Sequence, residues 1–403
     1  MSEGKIKCEL CGALTHVVQR HLKEAHPEVS LQDYRTKFPS APVLSEAAEQ
    51  ALRKKKAAEA AAQPAAQPAV AAAEPVMAMA GTHAGNVATL IPKGTIVKKH
   101  FHEVFELGKV KAAMSLKGDP INISVISPHD QQEFVPATSD NYVYDIDELK
   151  NVILAFELNI NSLIWGHKGS GKTELVEQVC ARTNRPMIRV QHTANTEESH
   201  IVGQYVVKGG ATEFQLGPLP MAMINGWAFL ADEYDFAMPS VLAVYQPVLE
   251  GKSLVIKEAP PEMRVIKPHP QFRFVATGNT NGSGDETGLY QGTLVQNGAN
   301  YDRFGMVIHK KYMDRAAEET ILKNHCKLVD ADAKKMVEFA TLIRQSYDAA
   351  KVSDTISPRA LINASRIGVM RGSFRQGLNL AFINKLSKID REVADGLAQR
   401  IFG

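Results

Sequence analysis

The sequence predicts an α/β domain followed by a helical domain, with a small separate unit at the N-terminus. Three observations carry this. From about residue 143 to 310, short apolar runs alternate with helical patterns, the arrangement that builds a parallel sheet covered by helices. From 314 to 403 the pattern is largely helical. The first 45 residues are set apart by "AAEAAAQPAAQPAVAAAEPVMAMAG", 57 to 81, whose repeated prolines break any long helix and leave a semi-flexible linker. The expected segments are 1–45, a linker 46–87, an extension 88–142, the α/β domain 143–312 and a helical lid 313–403.

Five runs read as strands of the α/β domain: "SLIW" 162–165, "MIRVQ" 187–191, "WAFLA" 227–231, "FRFVAT" 272–277 and "GMVIHK" 305–310. Their near-continuous apolarity suits parallel strands buried on both faces. In the extension, "GTIVKK" and "INISVIS" are short strand candidates that carry no assigned chemistry. A net charge of +2 over 403 residues points to no strongly acidic or basic partner. The opening "MSEGKIKCEL" lacks the apolar core of a signal peptide, and no run of about 18 apolar residues suggests a membrane span. A cytoplasmic protein with no membrane partner is expected. Four cysteines do not make a disulfide framework; Cys180 and Cys326 are expected to be reduced thiols, whereas the spacing of Cys8 and Cys11 points to metal.

The most specific motif is "GHKGSGKT", Gly166, His167, Lys168, Gly169, Ser170, Gly171, Lys172 and Thr173, which fits G-x-x-x-x-G-K-S/T between a strand and a helix. The glycines allow a tight loop whose N–H groups converge on the phosphates of a nucleotide, aided by the positive end of the following helix; the loop alone does not distinguish a kinase, a GTPase and a motor ATPase. Lys172 would reach the β and γ phosphates, and Thr173 would ligate Mg2+. "WAFLADE" ends an apolar strand in two carboxylates. Asp232 would hold Mg2+ through its water shell and Glu233 would polarise the attacking water; a solvated turn is the alternative. Asn279, at the end of "FRFVATGNT", could position that water, although asparagine is also a common turn former.

In this order the P-loop, "FLADEYD", "VATGNT", "YDRFG" and "SPRA" resemble an AAA+ ATPase of the MoxR group. "ADEYDFAMPSVLAVYQPVLEG", "RVIKPHPQFRFVATGNTNGSGDETGLYQGT" and "AFINKLSKIDREVADGLAQRIFG" are similar to the ATPase subunit of aerobic cobaltochelatase, a likeness running from about Phe134 to Gly403. The resemblance implies an AAA+ P-loop core with a helical lid, a homo-hexameric ring, and a partner protein with a metal-ion-dependent adhesion (von Willebrand A) domain. It implies that Arg303 in "YDRFG" is an arginine finger acting in a neighbouring subunit and that Arg359 in "SPRA" is the sensor 2 arginine. Ser357 and Pro358 independently read as the N-cap and first residue of a helix, placing Arg359 in its first turn. The resemblance also implies two hairpins, within 203–219 and 249–269, that face the pore or the partner; ordinary hairpins extending the sheet are the alternative.

Cys8, Cys11, His21 and His26 give C-x2-C-x9-H-x4-H, a donor set suited to tetrahedral zinc. His16 is the competing ligand, but C-x2-C-x4-H leaves too little chain to fold around a metal. The segment, with "HPEVSLQDYRTKFP", resembles the bacterial zinc finger of the Ros and MucR regulators. Arg20, Lys23 and "RKKK" 53–56 would suit nucleic acid, but a single small finger reads only about three base pairs and a basic run is often a solvated face, so protein recognition is the favoured role. Taken together, the expectation is an ATP-hydrolysing ring that remodels a partner complex, one form of which is the motor of a metal chelatase. The alternative is a nucleic-acid-binding finger protein whose ATPase regulates occupancy.

Overall fold

A computed structural model describes residues 6–15, 18–26, 28–29, 31–38, 41–42, 45, 94–108, 114–285 and 288–403. The linker and the basic run 53–56 lie outside the described residues, as does His16. The chain divides into two units, 1–84 and 85–403.

In the first unit, β1 (Ile6–Lys7) and β2 (Leu14–Thr15) pair antiparallel ahead of helices Val18–Ala25 and Leu31–Lys37. Its core is four buried residues, Cys8, Val18, Leu22 and Tyr34, with Ile6, Leu10, Val29 and Phe38 against them. The Tyr34 hydroxyl accepts from the Glu9 N–H at 2.8 Å. So small a core rarely holds a fold together without a further cross-link.

The second unit opens with β3 (Ile96–His100), the turn of helix Phe101–Val104, and β4 (Asn122–Ile126), which pairs antiparallel with β3. These are the two strands expected in the extension, and their role is packing. Phe101, Phe105 and Ile123 are buried against helices Ile146–Glu157 and Lys172–Arg182. The Glu157 carboxylate accepts from the Ser124 N–H at 2.6 Å and pairs with Lys98.

Five strands form the central sheet: β5 (Ser162–Trp165), β6 (Met187–Gln191), β9 (Ala228–Asp232), β12 (Arg273–Gly278) and β13 (Met306–His309). All pairings are parallel, in the order β13-β5-β12-β9-β6. Two strands match the sequence reading to the residue; β9 and β12 run one residue later and β13 is shorter, because pairing rather than apolarity ends a strand. Every residue of β9 and β12 is buried, while β6 and β13, at the edges, alternate with exposed positions. The period of two sends successive apolar residues to opposite faces. Leu163, Phe229 and Phe274 pack with Trp227, Tyr245 and Phe304 on one side. Ile164, Leu230 and Val275 pack with Leu149, Val152 and Val176 on the other.

Between β6 and β9, helix Glu198–Val202 gives way to β7 (Gly203–Lys208) and β8 (Ala211–Leu216), before helix Pro218–Asn225 resumes. Gly209 and Gly210, both at positive φ, make the two-residue turn. A second pair, β10 (Leu254–Val255) and β11 (Val265–Ile266), precedes β12. Each hairpin is its own two-stranded sheet, so neither extends the central one.

The lid comprises helices Arg315–Cys326, Asp330–Asp348, Pro358–Arg371, Phe374–Ala381 and Lys388–Phe402 around a separate apolar core. Ser357 caps the third of these, its hydroxyl accepting from the Ala360 N–H at 3.2 Å. Glu318 and Arg344 form a bidentate pair at 2.7 and 2.8 Å across the first two helices, and the guanidinium also lies 4.1 Å from the Tyr312 ring centroid. The Glu318 side chain is only 3% exposed. Glu318→Ala should therefore cost about 3–5 kcal/mol by leaving Arg344 unpaired, read as a lowered denaturant midpoint. Replacing both residues by apolar ones of similar volume should cost much less.

Candidate active site

The phosphate-binding loop leaves the carboxyl end of β5, between neighbours β13 and β12, where an open parallel sheet places its ligands. Its shape needs glycine. At Gly166, φ is +152°, and a Cβ there would meet the Lys310 carbonyl oxygen at 2.0 Å. At Gly169, φ is +71° and a Cβ would lie 2.8 Å from that of Ser357, the cap of the third lid helix. Lys168 ties the same two elements, pairing with Asp354 at 2.5 Å. The loop is further fixed by the Tyr290 hydroxyl, which accepts from the Lys168 N–H at 2.9 Å and lies 3.0 Å from His167 Nδ1. Burial pushes the His167 imidazole below its ordinary range.

Lys172 opens helix Lys172–Arg182. Its ammonium donates to the carbonyls of Gly166 (2.7 Å) and His167 (3.2 Å) and to Asn279 Oδ1 (3.1 Å). Thr173 donates to Asp232 Oδ1 at 2.8 Å, and the Thr277 hydroxyl donates to the same oxygen. Glu233 follows at φ +52°, a conformation that costs a non-glycine residue energy, and its side chain accepts from Gln191 Nε2 at 3.2 Å. The structure thus brings Lys172, Thr173, Asp232, Glu233 and Asn279 together. Arg359 joins them from the lid, lining a cavity of about 710 Å³ that runs from the loop to Tyr142, Met313 and Ile362. Arg303 does not join them: it pairs with Glu250 at 2.7 Å and donates to the Ala299 carbonyl, outside the lining of this cavity.

Four contributors were not read from the sequence. Arg189 pairs with Asp232 Oδ2 at 2.5 Å. Gln191 reaches Glu233, as above. Asp235 is buried and accepts from the N–H groups of Asn279 (2.9 Å) and Thr280 (2.8 Å), holding the turn that carries Asn279; burial raises its carboxyl pKa, against the pull of those donors. Lys310, also buried, pairs with Glu148 beside the loop. Polar residues two apart in "MIRVQ", facing the end of the neighbouring "FLADE" strand, were the available signal for the first two.

In the first unit, the ligand atoms of Cys8, Cys11, His21 and His26 all lie within 4.8 Å of one another. Cys11 Sγ is 3.1 Å from His21 Nε2, and the buried His26 Nε2 has no hydrogen-bond partner among the described residues. Two thiols and two imidazoles converging with an unsatisfied buried nitrogen fit a tetrahedral zinc ion. The side chains of Arg20 and Lys23 lie outside the described set. Cys180 and Cys326 are free and buried, and burial pushes the Cys180 thiol up to about 12.

Two family descriptions match: an AAA domain of the dynein-related subfamily over residues 161–291, and a CbbQ/NirQ/NorQ C-terminal domain over 318–401. Aerobic cobaltochelatase subunit CobS of Sinorhizobium sp is 34% identical over 281 residues, covering 67% of this chain and 83% of that protein. The chain belongs to the CobS-type AAA ATPases. An uncharacterized protein of Staphylococcus haemolyticus is 31% identical over 217 residues, 52% of this chain and 78% of its own. Among solved structures, the Thermotoga maritima RuvB Holliday junction branch migration motor aligns with a TM-score of 0.37 at 14% identity, covering 66% of this chain and 72% of that one. Membership of the AAA ATPases implies ATP and Mg2+ binding by the CobS-type chain, and no helix among its described residues is long and apolar enough to cross a membrane.

Burial lowers the Lys172 ammonium to about 8, despite the opposing pull of Asp235, Asp232 and Glu233. The phosphates of a nucleotide favour the protonated form. ATP affinity should therefore be full below that pH and weaken above it, by about tenfold per pH unit as one proton becomes linked to binding. A titration of Kd against pH checks this, and a Kd that stays flat well above pH 8 would contradict it.

Proposed function

We propose that the chain works as a hexameric ring that hydrolyses ATP at its subunit interfaces and uses the cycle to remodel a partner protein complex. The observation that carries this reading is the convergence of Lys172, Thr173, Asp232, Glu233 and Asn279 at the carboxyl ends of β5, β9 and β12. Thr173 and Asp232 would hold magnesium, which when bound neutralises charge on the phosphates. Lys172 grips the β and γ phosphates. Glu233 takes a proton from the attacking water as its oxygen bonds to the γ phosphorus and the bond to the bridging oxygen breaks, leaving ADP and phosphate. Asn279 orients that water, and Arg359 brings a lid cation to the charge that develops.

Arg303 serves a neighbour's site in this reading, which agrees with its place away from the cavity of its own chain. The CobS relative favours a metal chelatase as the complex remodelled; in this reading the partner is a von Willebrand A domain protein and the two hairpins are its contacts. The zinc-bound first unit would recognise protein. A site with four protein ligands has no open position, so the ion would serve folding alone.

Lys172→Ala should abolish ATP binding, whereas Glu233→Gln should bind ATP and not turn it over; normal hydrolysis by the latter would refute the role of Glu233. Rings of Lys172→Ala or Arg303→Ala alone should be inactive. Co-expressed mixtures should recover activity, because about a quarter of interfaces in a randomly mixed cyclic ring are complete. Verified mixed rings that stay inactive would exclude a trans role for Arg303.

Metal analysis of the purified chain should find one zinc per chain, lost in Cys8→Ser together with the helical signal of the first unit. Full zinc content in Cys8→Ser would remove Cys8 from the ligand set.

A further inference from the structure

Asp232 is engaged on both oxygens. Oδ1 accepts from Thr173 and Thr277, and Oδ2 is held by the Arg189 guanidinium at 2.5 Å. The carboxylate is 5% exposed, so this pair sits at the edge of a poorly solvated site, while Arg189 itself is 43% exposed and reaches in from the outer strand β6. A divalent cation held by Asp232 on the Thr173 side, even through its water shell, and the Arg189 guanidinium on Oδ2 would share one small carboxylate and repel each other across it. A second acceptor stands ready: Glu177, one turn beyond Thr173 on the same helix, lies 3.8 Å from the other terminal nitrogen of Arg189.

We propose that Arg189 is a positioning residue that competes with magnesium for the charge of the Asp232 carboxylate, moves onto Glu177 when the metal–nucleotide enters, and so sets the magnesium concentration at which nucleotide is held tightly. The inference rests on the reading that Asp232 holds the metal. It assigns the two ends of Arg189 different duties. With Asp232 it keeps the carboxylate aimed and charge-balanced; with Glu177 it withdraws a cation from the metal's surroundings. Removing Arg189 abolishes the competition, and removing the Glu177 charge leaves Arg189 with nowhere to retreat.

The test is binding of a non-hydrolysable fluorescent ATP analogue to the full chain, titrated with magnesium and compared with EDTA. Arg189→Gln should lower the half-saturating magnesium concentration by about tenfold, the scale of one charge-assisted hydrogen bond, a larger effect than on affinity measured in EDTA. Glu177→Gln should shift the midpoint the other way, and Arg189→Lys should fall between wild type and Arg189→Gln. An unchanged or raised midpoint in Arg189→Gln overturns the proposal, as does an equal loss of affinity with and without magnesium, which would make Arg189 a phosphate contact. Nucleotide binding by the wild type that ignores magnesium altogether would instead overturn the assignment of Asp232, and the proposal with it.

Discussion

The carboxylate of Asp232 is the junction on which the site depends. It ends a fully buried strand and receives Thr173 from the loop helix, Thr277 from β12 and Arg189 from β6. Three separate elements therefore meet through one side chain, and none can shift without disturbing a hydrogen bond or ion pair in a place where water substitutes poorly. The alternation of the sheet makes this possible. Residues of β9 that point either way are packed by aromatic and aliphatic side chains, and only at the strand's end does the chain turn through the left-handed Glu233 to present its carboxylates to a cavity.

A second consequence of that burial concerns charge. Lys172, Arg189 and Lys310 face Asp232, Glu233, Asp235 and Glu148 within one small region. The balance is not a set of independent pairs. Desolvation lowers the affinity of Lys172 for its proton while the surrounding carboxylates raise it, and desolvation raises the carboxyls of Asp235 and Glu148. A ligand that adds phosphates and a metal ion redistributes every one of these interactions, which makes the site responsive to occupancy.

Much of this was legible in the sequence because it follows from local rules. The five strands stood out as apolar runs, the loop as glycines followed by lysine and threonine, and the helix at Ser357 as a cap followed by proline. The four zinc-suited ligands were readable from spacing. What escaped was long-range. Arg189 and Asp235 matter through contacts spanning about 40 residues, and a charged residue in an edge strand looks like any solvated one until the neighbouring strand is placed. Strands β3 and β4 likewise had no assigned chemistry, because this part of the chain contributes apolar surface, Phe101, Phe105 and Ile123, to helices further along.

The contact between Gly169 and Ser357, with the Lys168–Asp354 pair beside it, gives the loop and the lid a common joint. The lid is a close-packed body with its own core, so a load on it is carried by the whole body rather than absorbed locally. A joint of this kind works like a gear tooth: the close fit leaves the loop and the lid little freedom to shift independently. Whatever changes the angle between lid and loop would therefore be registered at the glycine, where there is no side chain to absorb it.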